Sequence, residues 1–190
     1  MTTDPRDIFI KGENIFLKAL SEGDVRNSGW YGWFNNAETT RWMQQRYFPN
    51  TMEGQLDFYR REIVSSKTKI QLGILPIDEE YIIGVVSLSN IDLLNRKAEF
   101  SIIIGEKSKR RRGYATEATR LIVDHGFRRL GLNKIWLGVD ESNSDAINCY
   151  RKVGFQVNGT LPEDVFLDGT FHNNLIMSIL ARDYFRSIRA

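Results

Sequence analysis

Apolar and polar positions along the chain change period several times, and each change marks an element. Residues 15–20, Ile-Phe-Leu-Lys-Ala-Leu, form a short apolar run that predicts a first strand. Ser21 follows as a candidate N-cap, with Glu22 and Asp24 placed for the first turn of a helix. Residues 29–48 are dense in aromatics, and residues 37–44 within them read as helical. Thr51 caps the next helix, where Met52, Leu56, Tyr59 and Ile63 share one face that ends near Ser65.

The pattern then turns to strands. Residues 71–75 and 81–88 flank the turn signal Asp78-Glu79-Glu80 and predict a hairpin. Residues 98–104 are almost continuously apolar, as expected of a central strand covered on both faces. Residues 113–130 carry two helical rows, Ala115/Ala118/Ile122 and Val123/Phe127/Leu130, and Gly131 is placed to stop them. A strand over 134–139 precedes a short helix capped by Asn143 or Ser144, with Ile147, Tyr150 and Val153 inward and Gly154 at its end. Residues 155–161 and 173–180 complete the set as strands. A meander followed by strand–helix–strand–helix gives a mixed α/β class with one central sheet.

Composition narrows the options. The 26 Lys+Arg nearly cancel the 24 Asp+Glu, and a formal net charge of +2 argues against a nucleic-acid partner. Eleven Phe, seven Tyr and four Trp supply more burial than a disordered chain holds. Cys149 is the sole cysteine, which excludes an internal disulfide and a multi-thiolate metal site. His125 and His172 lie far apart without zinc spacing, so no metal is expected. No apolar stretch approaches the roughly 18–20 residues that cross a bilayer. Residues 1–7 lack the basic-then-apolar order of a signal peptide, so a cytoplasmic protein without a membrane partner is expected. With no repeat and no low-complexity linker, residues 1–190 read as a single domain, and the sequence leaves monomer or homodimer open.

The segment richest in chemistry is Arg110-Arg111-Arg112-Gly113-Tyr114-Ala115, between a buried strand and a long helix. Amides at a helix start are unpaired and lie at the positive end of the dipole, which suits a phosphate or pyrophosphate. Gly113 allows close approach of a ligand oxygen, and small Ala115 allows tight packing on the sheet. Lys109, Arg110, Arg111 and Arg112 add positive charge. A merely solvated basic turn is the rival reading. A triphosphate-binding G-x-x-x-x-G-K-S/T loop and a dinucleotide G-x-G-x-x-G fingerprint are both missing from the sequence.

Arg110-x-x-Gly113-x-Ala115 resembles the Q/R-x-x-G-x-G/A pyrophosphate loop of the GNAT N-acetyltransferase superfamily, and residues 98–104 and 113–118 are similar to its central strand and helix. Residues 143–155 resemble its second signature, N-x-x-A-x-x-x-Y-x-K-x-G-F. Phe166-x-Asp168-Gly169-x-Phe171-His172 is similar to the ribosomal-protein N-terminal acetyltransferase branch. The likeness spans about residues 10–185. Two departures stand out: Ser101 where relatives often carry glycine, and the Arg111-Arg112 pair before Gly113.

The resemblance implies a single GNAT-like α/β domain, with a mixed, mostly antiparallel sheet of about six to seven strands, splayed at the cofactor site and flanked by about four helices. Acetyl-CoA is the implied co-substrate. It would lie between strands 98–104 and 134–139, against Ile102, Ile103 and Ile104, with main-chain groups of Ile102 and Ile104 pairing the pantetheine. Amides from Arg110 through Tyr114 to Ala115 would hold the pyrophosphate, Asn143 would bond the pantetheine, and Asn148 would support the same wall. The implied reaction is direct attack by a primary amine. A main-chain N–H would stabilise the oxyanion, a type of donor that commonly contributes about 3–4 kcal/mol. Tyr150 would assist the leaving thiolate and Glu99 would accept the amine proton, with plain core packing and pairing with Arg96 or Lys97 as the respective rival readings. Cys149 reads as a buried structural thiol and His125 as structural.

The acceptor falls to the aromatic-rich region and the closing strands: Trp33, Asn35, Trp42, Arg46 and His172 are the candidate contacts. Stacking planes with arginines suit an amino sugar or another small amine. The ribosomal-branch likeness makes a protein N-terminus the rival acceptor. A non-catalytic acyl-CoA-binding regulatory module is the alternative of a different class.

Overall fold

The computed structural model describes residues 7–43 and 47–188. Strands β1 (Ile8–Lys11) and β2 (Ile15–Ala19) lead into α1 (Glu22–Asn27), α2 (Trp30–Trp33), α3 (Ala37–Thr40) and α4 (Met52–Phe58). The meander is β3 (Ile70–Pro76), β4 (Gly84–Asp92) and β5 (Lys97–Ile104), followed by α5 (Tyr114–Arg128) and β6 (Lys134–Asp140). The chain closes with α6 (Ser144–Val153), β7 (Gln156–Leu167), β8 (Thr170–Leu180) and α7 (Ala181–Ser187). The eight strands among the described residues form one sheet ordered β1-β2-β3-β4-β5-β6-β8-β7. The β5–β6 pair is parallel, and the other pairs are antiparallel.

Local chemistry accounts for most boundaries. Ser21 closes a reciprocal capping box with Asp24 at the start of α1. Thr51 caps α4 through the Gly54 amide, and the helix runs on as a π-helical turn over Tyr59–Val64 before ending at Ser65. Asn143 caps α6, and Gly154 ends it at φ +109°, a conformation costly for residues with a side chain.

Alternation along β5 divides the core into two layers. Ala98 and Phe100, with Ile102 and Ile104, face α5 and meet Ala118, Ile122, Val123 and Phe127. Ile103 points the other way, into a layer of Leu20, Val25, Trp30, Trp33, Leu56 and Val85 under the early helices. Among the described residues no helix is long and apolar enough to cross a membrane.

The structure adds three elements to those expected; one, α2, is four residues long and has no side-chain cap among the described residues to announce its start. β1 is a four-residue strand with alternating exposure, too short for its period to stand out. α7 buries Tyr184 against Phe127 and follows the last strand directly, with no side-chain cap among the described residues to mark its start. β7 extends to Leu167 rather than stopping at 161, and most of it is exposed, so burial leaves no pattern to read. Helix α3 ends at Thr40, shorter than the expected 37–44.

Candidate active site

β5 and β6 pair at three positions, Lys97↔Lys134, Ala98↔Ile135 and Glu99↔Trp136. Beyond them β5 stays registered with β4 as far as Ile104, and β6 stays registered with β8 as far as Asp140. Each strand is therefore held by its outer neighbour while the inner edges part, leaving a V open at the C-terminal ends of both strands. The Gly105 amide donates to the Ile83 carbonyl at 2.9 Å, so the Ile104 carbonyl of the same peptide faces the opposite way. Strand alternation puts the main-chain groups of Ile102 on that side as well. Such an edge can pair an extended ligand as a further strand would.

A basic loop crosses from the mouth of the V to α5. Arg111 and Gly113 both adopt positive φ, +60° and +85°, and a Cβ on Gly113 would meet nothing within 4 Å. Among the described residues no side chain caps α5, so the amides from Gly113 through Tyr114 and Ala115 to Thr116 lead into open space at the positive end of a fifteen-residue helix. The cations around them are not equivalent. Lys109 forms an ion pair with Glu79, and that hydrogen bond raises its pKa. Arg110 turns back, donating to the Ile104 carbonyl at 3.1 Å and to Thr39 at 2.8 Å, with Glu38 at 3.3 Å. A hydrogen bond from Lys107, helped by Arg110, lowers the Glu38 pKa. Arg111 reaches Asp145 at the start of α6, and Arg112 is exposed. The main chain of the loop, with exposed Arg112, is what remains for a phosphate.

Tyr150 is 9% exposed and packs edge-on to Phe100, with Phe155 alongside. Burial, with a smaller contribution from neighbouring Cys149, pushes its phenol above the ordinary tyrosine range. Among the described residues its hydroxyl has no protein hydrogen-bond partner. Glu99 lies where β5 and β6 still pair, on the opposite sheet face from Phe100, and its Oε2 accepts from Asn90 at 2.8 Å. Arg96 is committed to the Gly131 carbonyl, so it does not pair with Glu99. Ser101 bonds Ser87 across β4 at 2.7 Å, which engages the hydroxyl within the sheet. Asn143 uses its Oδ1 to cap α6, and Asn148 is exposed on the same helix. Cys149 lies 3.4 Å from the Thr116 hydroxyl, partly buried.

The expected acceptor residues separate. Trp33 is 6% exposed and lies over Gly105, where an added Cβ would meet its ring at 1.9 Å. Its free edge borders a shallow depression with Glu38, Thr39 and Lys107. Both ends of the Asn35 amide are bonded to the main chain of Asn50, at 2.7 Å each. Trp42 carries the Arg41 guanidinium over its ring at 4.8 Å. Arg46 lies outside the described residues. His172 stands on β8 with Nδ1 3.2 Å from Asp140 Oδ2 and Nε2 2.9 Å from Thr170 Oγ1. Asp140 carried no signal in the sequence beyond being an acid after an apolar strand, because its partner lies on a different strand.

Residues 14–156 match the model of the "Acetyltransferase (GNAT) domain" family. The chain is 42% identical over 101 residues to a spermidine N(1)-acetyltransferase of Escherichia coli K12, covering 53% of this chain and 54% of that protein. The chain thus spans about half the length of that relative. A spermidine N(1)-acetyltransferase of Vibrio cholerae is 28% identical over 175 residues, covering 90% of this chain and 95% of the relative. The crystal structure of spermidine N-acetyltransferase from Vibrio cholerae in complex with CoA and spermine superposes with a TM-score of 0.82 at 26% identity. That superposition covers 90% of this chain and 98% of the Vibrio chain. With the splayed sheet, the open helix mouth and this match in place, the chain belongs to the GNAT acetyltransferase family.

Proposed function

We propose that this protein transfers the acetyl group of acetyl-CoA to a primary amine of a small, flexible polyamine. The observation that carries the reading is the early end of β5–β6 pairing, because the resulting cleft joins the amide-lined loop to the buried hydroxyl of Tyr150. The pyrophosphate would rest on the amides of residues 110–115, the pantetheine against Ile102, Ile103 and Ile104, and the Asn143 amide nitrogen on its other side. Arg110 already occupies one lone pair of the Ile104 carbonyl, and the second remains for the cofactor.

In the proposed reaction the amine nitrogen bonds to the acetyl carbon and the carbon–sulfur bond breaks. Glu99, directly or through water, takes the proton that the amine sheds. A free thiol has a pKa of about 8.5. A phenol raised above the tyrosine range is the weaker acid, so full proton transfer from Tyr150 to the sulfur is uphill. Tyr150 therefore contributes a hydrogen bond to the charge developing on sulfur. Its burial helps, since a donor in a dry site is worth more than one in water.

Two features favour a polyamine over an amino sugar. The tryptophan planes of the early helices are already used, Trp30 and Trp33 in the core and Trp42 under the Arg41 guanidinium. The relatives described above are spermidine acetyltransferases. Release of free thiol from acetyl-CoA tests the reading, across spermidine, spermine, amino-sugar nucleotides and peptides beginning with Ala or Ser. Release with the polyamines is expected. Release with peptides alone would assign a protein N-terminus, and cofactor binding without release for any amine would leave a regulatory module.

A further inference from the structure

We propose that the Asp140–His172 pair is a subsite for a second ammonium group on the acceptor, open when the imidazole is uncharged and closed when it takes a proton. This deepens the acetyl-transfer reading and rests on it, since it specifies what the acceptor carries besides the reacting amine.

Asp140 ends β6 at the lip of the V, with its side chain 2% exposed. Its Oδ1 accepts from the Ser142 amide at 2.8 Å and the Ser142 hydroxyl at 2.5 Å. Its Oδ2 is buried and has no hydrogen-bond partner among the described residues, with His172 Nδ1 3.2 Å away as an ion-pair contact. A buried carboxylate oxygen in this state is costly without positive charge nearby.

His172 is built to hold either charge. The Thr170 hydroxyl donates to the Leu167 carbonyl at 3.0 Å, which leaves its oxygen to accept from a protonated Nε2. Rotating that hydroxyl to donate to Nε2 suits the uncharged ring with its proton on Nδ1. The pair therefore changes from one net negative charge to none with only a hydroxyl rotation.

The groups around the pair select for a cation. Asn174, on the same face of β8 as His172, donates to Asp164 at 2.8 Å, while Asn173, on the opposite face, donates to Glu141 at 3.1 Å. β7 and β8 contain no Lys or Arg. Asp145, at the start of α6, is answered by Arg111. An ammonium reaching the partly exposed Thr170–His172 edge of the uncharged pair meets the Thr170 hydroxyl oxygen, which still accepts while its proton is turned to Nε2, with Asp140 behind the ring. A proton on the ring supplies the same charge first, so the proton and the ammonium compete.

The test compares 1,4-diaminobutane with butylamine as acceptors at pH values from about 6 to about 8.5, a span that brackets imidazole titration. The ratio of their KM values cancels the titration of the reacting amine common to both. That ratio is expected to rise about tenfold toward low pH, with the kcat ratio unmoved, and to become flat in His172→Gln. A flat ratio in the unmodified protein, or an undiminished slope in His172→Gln, would overturn the subsite. Asp140→Asn should raise the diamine KM throughout, and Asp164→Asn, at an exposed residue, should do so to a smaller degree if the first variant does not fold. Calorimetry of diaminobutane binding to the CoA-loaded protein separates the two ideas. Binding that weakens at low pH with no acetylation of any amine keeps the subsite and removes the enzyme, whereas acetylation with a flat KM ratio removes the subsite alone.

Discussion

The half of the sheet from β2 to β5 is covered on both faces, by α5 on one and by the layer around Val25, Trp30 and Leu56 on the other. The half formed by β6, β8 and β7 is different: that second layer reaches no farther than β5, and β7 is exposed along most of its length. The boundary between the two halves is the V. The charges differ as well, with a basic loop on the β5 side and a hairpin free of Lys and Arg on the β6 side. A near-neutral total thus conceals two lips of opposite sign, one suited to phosphates and one to cations. Packing on both faces holds the first lip, while the second is packed on one face, through Ile135, Leu137, Val139, Met177 and Ile179, and adds polar links such as Tyr47 to the Phe166 carbonyl and His172 to Asp140.

The sharpest way to break this division is Tyr150→Phe. The hydroxyl makes no hydrogen bond among the described residues, so thermal stability should stay close to that of the parent. The rate should nonetheless fall about 100- to 1000-fold, the usual loss when one transition-state donor is removed. Steady-state kinetics beside a melting curve checks both parts, and a stability loss of the same order would return Tyr150 to the core.

Gly113→Glu probes the basic lip. It puts a side chain at φ +85°, costing about 1–2 kcal/mol, and a negative charge at the helix mouth. Acetyl-CoA affinity should fall by at least about 30-fold in calorimetry. Unchanged affinity would remove the loop from the cofactor site.

Packing supplies the third contrast. Ile122, fully buried under β5, should cost about 2–5 kcal/mol on truncation to Ala. Leu161 on β7, 44% exposed, should cost under about 0.5 kcal/mol. Denaturant midpoints measure both, and similar losses would contradict the difference between the halves.

The smallest effect concerns alkaline pH. Tyr150 and Tyr184 both titrate higher in the folded protein than in an unfolded chain, chiefly through burial, and Tyr184 is pushed up to about 12. A folded state that resists losing these protons binds more of them than the unfolded chain above about pH 10, so stability falls there as pH rises. Below about pH 10 both states keep the protons, and these two groups contribute no slope. Tyr184→Phe should flatten part of the alkaline decline.

Much of this arrangement was legible in order along the chain. The caps at Ser21, Thr51 and Asn143, the stop at Gly154, the apolar central strand and the glycine before α5 are consequences of local periodicity and backbone freedom, which a sequence carries within a few residues. The two GNAT-like segments could be found for the same reason. Whether an aromatic or an amide serves the core or a ligand was not legible. Trp33 went to the core over Gly105 and Asn35 to the backbone of Asn50, because burial and pairing depend on distant partners. Asp140 and His172 gain meaning only when β6 and β8 lie side by side, 32 residues apart in the chain. Most of the elements and the candidate phosphate loop can be read from neighbouring residues alone, since their causes are local. Tertiary structure decided where the sheet parts and which charges face each other there, since electrostatic and packing energies follow distance in space.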